Sequence, residues 1–299
     1  MKYLYYPGCS LKSTGRPYDE SLRAVFAALG IELTELDDWN CCGATAYASI
    51  DENQAFGLAA RNLAIAEAAV TDGPPTIVAP CSACFLVLTK TQRYFEDYDH
   101  VRDGVTRELA AAGLTYRGHV KVRHPLDILI HDVGLPAIAK LVQHQMKGLH
   151  VASYYGCQVV RPFATFDDPL YPTSMDAIMR SLGAETVDWP LKTRCCGGSL
   201  SGTIKEAGLR LNQHLLVEAL RKGSDLVVTC CPLCQFNLEC FQKQINKNYD
   251  ERISLPIMYF TQLMGLAFGI PEKELGIRRL FIDPLPVIGA LKGGVPAHV

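Results

Sequence analysis

Ten cysteines in this chain stand in two copies of one frame, at spacings that could hold a metal or run redox chemistry. In the first copy a lone cysteine, Cys9, lies in a Pro-Gly-Cys turn. The vicinal pair of Trp39-Asn40-Cys41-Cys42-Gly43 follows, and Cys81/Cys84 closes the set as a Cys-x-x-Cys. The second copy keeps that order with Cys157, Cys195-Cys196-Gly197-Gly198 and Cys231/Cys234. A Cys-x-x-Cys at the start of a helix puts two sulfurs on one face about a turn apart, where the helix N-terminus favours the thiolate. Zinc sites, iron–sulfur sites and redox-active dithiols all use that arrangement. A redox dithiol needs no further cysteine and a structural zinc is closed by four ligands, whereas each copy here offers five. Five is also one more than a cubane cluster takes. Adjacent thiolates can bridge or serve different irons, while a disulfide between neighbours would close a strained ring. The count favours an expanded, irregular iron–sulfur cluster in each copy, with zinc and a spare cysteine as the alternative in either. An irregularly held iron can be offered to a substrate sulfur; a saturated cubane mainly relays electrons.

The chain as a whole narrows the setting. Its 299 residues suit two domains, and its 48% hydrophobic and 20% charged residues are those of an ordinary globular protein. A formal charge of -2 gives no reason to expect a nucleic-acid partner. The apolar N-terminal run is too short for a signal peptide, and no segment approaches the roughly 20 apolar residues of a membrane span. Twelve cysteines in a chain with no secretion signal point to metal or redox use in the cytoplasm rather than to disulfides. Five clustered thiolates need positive charge nearby. Lys12 and Arg16 follow Cys9, Arg161 follows Cys157, and Lys192 and Arg194 precede Cys195, so these are the residues expected to balance a cluster or hold an anionic substrate. His124 and Tyr259 occupy matching places without a catalytic motif, and Cys230 and Cys240 fall outside the frame; all four are expected to be packing residues.

The elements that position the cysteines repeat as well. Gly8-Cys9 matches Gly156-Cys157 at an offset of 148, Cys81/Cys84 matches Cys231/Cys234 at 150, and the vicinal pairs match at 154 because of a four-residue insertion before Cys195. Short β-forming runs at 2–6, 31–36, 76–79 and 121–124 recur at 150–155, 185–189, 226–229 and 256–260, with helical patterns between them at 18–29, 52–70, 173–182 and 205–221. Further helices are expected at 126–133 and 261–268. The fold class is α/β: two tandem pseudo-symmetric repeats, each a short parallel sheet flanked by helices, with the cysteines beyond the carboxyl ends of the strands, where such sheets bind ligands. The expected division is 1–147 for the first repeat, 148–283 for the second, and 284–299 as an extended or disordered tail that could dock a partner.

The doubled pattern Cys-x31-Cys-Cys-x38-Cys-x-x-Cys and Cys-x37-Cys-Cys-x34-Cys-x-x-Cys resembles the paired cysteine-rich CCG domains of the heterodisulfide reductase B subunit. Tyr6-Pro7-Gly8-Cys9 and Asn40-Cys41-Cys42-Gly43-Ala44 look like the bacterial members. The resemblance implies two noncubane 4Fe-4S clusters, with one cluster plus zinc as the alternative. Cys9, Cys41, Cys42, Cys81 and Cys84 would hold the first, and Cys157, Cys195, Cys196, Cys231 and Cys234 the second. It further implies a disulfide, thiol or persulfide substrate cleaved or formed between the clusters, each supplying one electron. The implied partners are proteins like the other two components of that enzyme, its iron–sulfur C subunit and its flavoprotein A subunit. The chain has neither a dinucleotide fingerprint nor a ferredoxin-type cysteine run, as a partner-dependent component would. The competing expectations are an electron-relay component of a succinate dehydrogenase/fumarate reductase-like or other flavoprotein complex, and a zinc-stabilised scaffold.

Overall fold

The computed structural model describes residues 1–44, 50–70 and 73–293. Two four-stranded parallel sheets carry the two repeats. The first holds β1 (Lys2–Tyr5), β2 (Glu32–Glu35), β3 (Thr76–Val78) and β4 (Lys121–Arg123) in the order β2-β1-β3-β4. The second holds β5 (His150–Tyr154), β6 (Glu185–Thr186), β7 (Leu226–Thr229) and β8 (Ile257–Tyr259) in the equivalent order β6-β5-β7-β8. Tyr5 sits beside Glu35 and Val78, and Tyr154 beside Thr229, so neighbouring strands end level. In each sheet the order reverses at the first strand, which makes the crevice beyond its carboxyl end a switch point. The cysteine-bearing loops leave from the three strands around that crevice.

The helices follow from the pattern. Arg16–Ala28 buries Leu22, Val25 and Phe26 on one face, and Glu52–Ala68 is capped by Asp51, whose carboxylate accepts from the backbone N–H of Asn53 and Gln54. Lys205–Arg221 matches its expected bounds. The expected helix at 126–133 is a short α-helix, Pro125–Ile128, that widens into a π turn over Leu129–Val133. Helices Asp99–Ala111 and Gln242–Tyr249 were not anticipated: the first shows a high charge content, the second a polar one, and each presents only a few apolar residues inward.

The tail is a correction. Leu285–Gly293 is a helix, not an extended segment, and Ile288 is buried. Asp283 accepts from the Leu285 N–H at 3.0 Å, and Pro286 falls in the first turn, where a missing N–H costs nothing. Leu285 and Val287 pack on the core, which anchors the start of the helix. Residues 294–299 lie outside the described ones.

The halves interlock reciprocally. Tyr18 of the first stacks on Tyr259 of the second at 4.5 Å, and His124 of the first stacks on Phe166 of the second at 6.0 Å. Ser21 and Thr261 hydroxyls meet at 2.7 Å in the buried seam. One core cluster draws on both halves.

Candidate metal centre

Each cysteine set is assembled on the same scaffold. Cys81 and Cys231 are the N-cap residues of the helices Ser82–Asp97 and Pro232–Cys240, which places Cys84 and Cys234 in the first turn. Cys84 Sγ then lies 3.3 Å from Cys42 Sγ, and Cys234 Sγ 3.6 Å from Cys196 Sγ. These six sulfur-bearing residues are buried, whereas Cys9, Cys41 and Cys195 are exposed and Cys157 is half-buried. Each set thus has a buried base and an open edge.

Two residue types beside the cysteines make that geometry. Gly8 and Gly156 adopt φ of +66° and +71°, and a Cβ on either would stand 2.9 or 3.0 Å from Cys84 or Cys234 Sγ. Only glycine supplies both the left-handed turn and the space. Tyr6 and Tyr154 form the floor. The Tyr6 hydroxyl donates to the Asn40 carbonyl at 2.7 Å and the Tyr154 hydroxyl to the Arg194 carbonyl at 2.6 Å, each carbonyl being the one just before the vicinal pair. Trp39 and Trp189 pack on these rings at 5.6 and 6.0 Å. Burial and the facing cysteines push both phenols far above the ordinary tyrosine range, so they stay protonated donors. The motif Tyr-x-Gly-Cys, present in both repeats, was the signal that marks these residues.

The thiols share protons within a set. Hydrogen bonds from Cys41 and Cys84 pull Cys42 down to about 4, and hydrogen bonds from Cys157 and Cys196 pull Cys195 far down, with Arg161 adding to it. Cys231 falls to about 7 through its bond with Cys234. Cys41, Cys84, Cys157 and Cys234 are raised, the largest cause in each being the hydrogen bond it gives a neighbouring sulfur. Hydrogen bonding within each set thus favours the thiolate at Cys42 and at Cys195, the form that binds a cation.

A bound iron–sulfur group fits these residues. Five thiols per set, the glycine cradles, and backbone N–H groups turned to sulfur, such as Gly197 N at 3.3 Å from Cys195 Sγ, are the donors that such a group uses. Among the described residues no three His, Cys, Asp or Glu groups converge as a chelate for a single ion.

The cations behave unlike the expectation. Lys12 pairs with Glu35 at 2.7 Å, Arg16 with Glu20 at 2.9 Å, and the buried Lys192 with Asp176 at 3.1 Å. Of the five, Arg161 acts on the cysteine loop, donating to the Thr193 carbonyl. His124 is buried and held neutral, burial lowering it to about 4; its Nδ1 accepts from Leu126 N, and Nε2 meets the Pro80 carbonyl at 3.1 Å, beside Cys81. Cys230 packs near Ser82 and the Tyr155 carbonyl, and Cys240 is half-buried.

Known proteins are similar to this chain in sequence or fold. The cysteine-rich domain family, CCG, matches residues 3–89 and again 151–239. The 8-methylmenaquinol:fumarate reductase membrane anchor subunit of Wolinella succinogenes is 31% identical over 94% of this chain and 97% of its own length. A protein of Archaeoglobus profundus described as like the heterodisulfide reductase B subunit is 29% identical, covering 93% of this chain and 94% of that one. The CoB-CoM heterodisulfide reductase B subunit of Methanosarcina acetivorans is 26% identical over 97% of both. The crystal structure of a hypothetical protein from Helicobacter pylori shares the fold at a TM-score of 0.75 and 12% identity, over 94% of this chain and about half (52%) of that one. With both cysteine frames matched and the relatives aligned end to end, this chain belongs to the CCG cysteine-rich domain family.

Proposed function

We propose that the chain is the iron–sulfur component of a heterodisulfide reductase-like oxidoreductase complex. In this reading residues 1–147 hold one noncubane 4Fe-4S cluster through Cys9, Cys41, Cys42, Cys81 and Cys84. Residues 148–283 hold the second through Cys157, Cys195, Cys196, Cys231 and Cys234. The observation that carries it is the duplicate construction: the same buried sulfur pair, glycine cradle and tyrosine floor occur beneath both sets. When bound, the clusters would supply two electrons which, with two protons, split a disulfide into two thiols, or would take them up in the reverse direction. The chain itself holds the ten sulfurs at the strand ends, keeps the bases of both sets dry, and leaves Cys9, Cys41 and Cys195 at an open edge for a substrate sulfur.

Electrons would pass to or from partners of two kinds, an iron–sulfur protein of the C-subunit type and a flavoprotein of the A-subunit type. All twelve cysteines are free, which suits the reducing cytoplasm. Among the described residues no helix is long and apolar enough to cross a membrane. An electron-relay role is the second reading, favoured by the likeness to a fumarate reductase component over nearly its whole length.

Iron and acid-labile sulfide on anaerobically purified protein test the proposal, with EPR before and after adding a thiol. We expect about eight irons per chain and a signal altered by the thiol. Eight irons with a thiol-insensitive signal would leave the relay; zinc with little iron would end both.

A further inference from the structure

The two sets are built alike, but a buried side chain donates to a sulfur of the second. Asn237 lies one turn beyond Cys234 on the helix Pro232–Cys240 and is buried. Its Nδ2 donates to the Gly198 carbonyl at 2.9 Å and to Cys196 Sγ at 3.4 Å, so both amide hydrogens are used, one on a sulfur. The equivalent place in the first repeat, one turn beyond Cys84, is Val87, which has no hydrogen to give. At the vicinal pairs the backbone donors match, since Gly43 and Ala44 serve Cys41 and Cys42 as Gly197 and Gly198 serve Cys195 and Cys196. Charge adds to the difference. Arg161, fixed on the Thr193 carbonyl, stands four residues past Cys157, where the first repeat has Ser13; Lys12 and Arg16 near Cys9 are taken up by Glu35 and Glu20.

A hydrogen bond to a ligand sulfur, or a nearby cation, stabilises the more negative reduced state of a cluster and raises its potential. We infer that the second cysteine set is the higher-potential site of the pair, and that Asn237 is the positioning residue that makes it so. This rests on the reading that each set holds an iron–sulfur cluster. An electron delivered to the chain settles on the second set, so that the two sites, though alike in their cysteine spacing, act in a fixed order.

The test is an EPR-monitored redox titration of the full, iron-loaded chain. The native protein gives two midpoints. In Asn237→Val the upper one falls, with a roughly tenfold change in the equilibrium sharing of an electron, or about 59 mV, while the lower stays in place. Val87→Asn gives the opposite, raising the lower midpoint, and covers the case in which Asn237→Val fails to fold. Full iron with one shared midpoint, or with an upper midpoint that Asn237→Val leaves in place, overturns the inference alone. Zinc in place of iron overturns it together with the cluster reading.

Discussion

The vicinal-pair loops of the two halves rest on matching tyrosines but are otherwise held by different means. In the first, Asn40 exchanges hydrogen bonds with Asn62, its N–H donating to Asn62 Oδ1 at 2.9 Å and its carbonyl accepting from Asn62 Nδ2 at 3.1 Å. The second half has Asn212 at the matching helix position, but the insertion before Cys195 carries the loop away. Asn212 keeps the bond to the carbonyl one turn back, Gly208, as Asn62 does to Leu58, and its Oδ1 has no partner among the described residues. There the buried Lys192 takes over. Its carbonyl accepts from Tyr155 N and Gly156 N, and its ammonium binds Asp176, which the Tyr155 hydroxyl also reaches at 2.6 Å. What both halves keep is the tyrosine beneath the pair and the glycine before the lone cysteine. The constraint common to both is therefore placement of sulfur, while the surrounding polar network is replaceable.

If each set is self-contained, removing one base cysteine should cost only its own half. Cys42→Ser is expected to abolish metal retention in the first set and leave about four irons in the chain, and Cys196→Ser to do the same in the second. Iron analysis on the two variants checks this. Loss of all iron from either single variant would break the picture of two independent sites and require loading to be coupled through the shared core.

A second asymmetry is a buried carboxyl present in one half. Glu239, on the helix that begins at Cys231, accepts from Phe281 N at 2.9 Å, Ile282 N at 3.1 Å and Gln235 Nε2 at 2.7 Å, whereas the first half has Thr89 there. Burial raises Glu239 to about 7, against the ordinary value near 4.5. The folded chain thus holds a proton that the unfolded chain has released between those two values. Stability from this group is full below about pH 4.5 and is lost as pH rises toward 7, by up to about 3 kcal/mol. Glu239→Gln should flatten that slope and leave the protein more stable at pH 8, as thermal unfolding across pH 5–8 would show. An unchanged slope would mean that the carboxylate stays charged in the fold.

Much of this arrangement was legible in the sequence. Doubled cysteine spacing marked the repeats, and short β-forming runs ahead of each cysteine element placed it beyond a strand, because local pattern and tertiary position coincide there. The polar support was not legible. Asn237 looks like any helix residue until packing brings it onto Cys196, and the cations flanking the cysteines looked like counter-charges until Glu35, Glu20 and Asp176 engaged three of them. The reciprocal stacking of Tyr18 on Tyr259 and His124 on Phe166 joins residues far apart in the chain, and no local pattern reports it.

The smallest expected effect concerns what the halves share. Alanine at Gly8 or Gly156 meets a left-handed backbone, costing about 1–2 kcal/mol, and its methyl would press on Cys84 or Cys234 sulfur at 2.9 or 3.0 Å. Because the two glycines share nearly the same φ and the same close approach to sulfur, Gly8→Ala and Gly156→Ala should lower stability by similar amounts, each weakening iron retention in its own set. Thermal unfolding with iron analysis measures both. A large effect at one glycine and none at the other would mean that the cradle matters through its neighbours, Asn40 on one side and Lys192 on the other, rather than through the sulfur it admits.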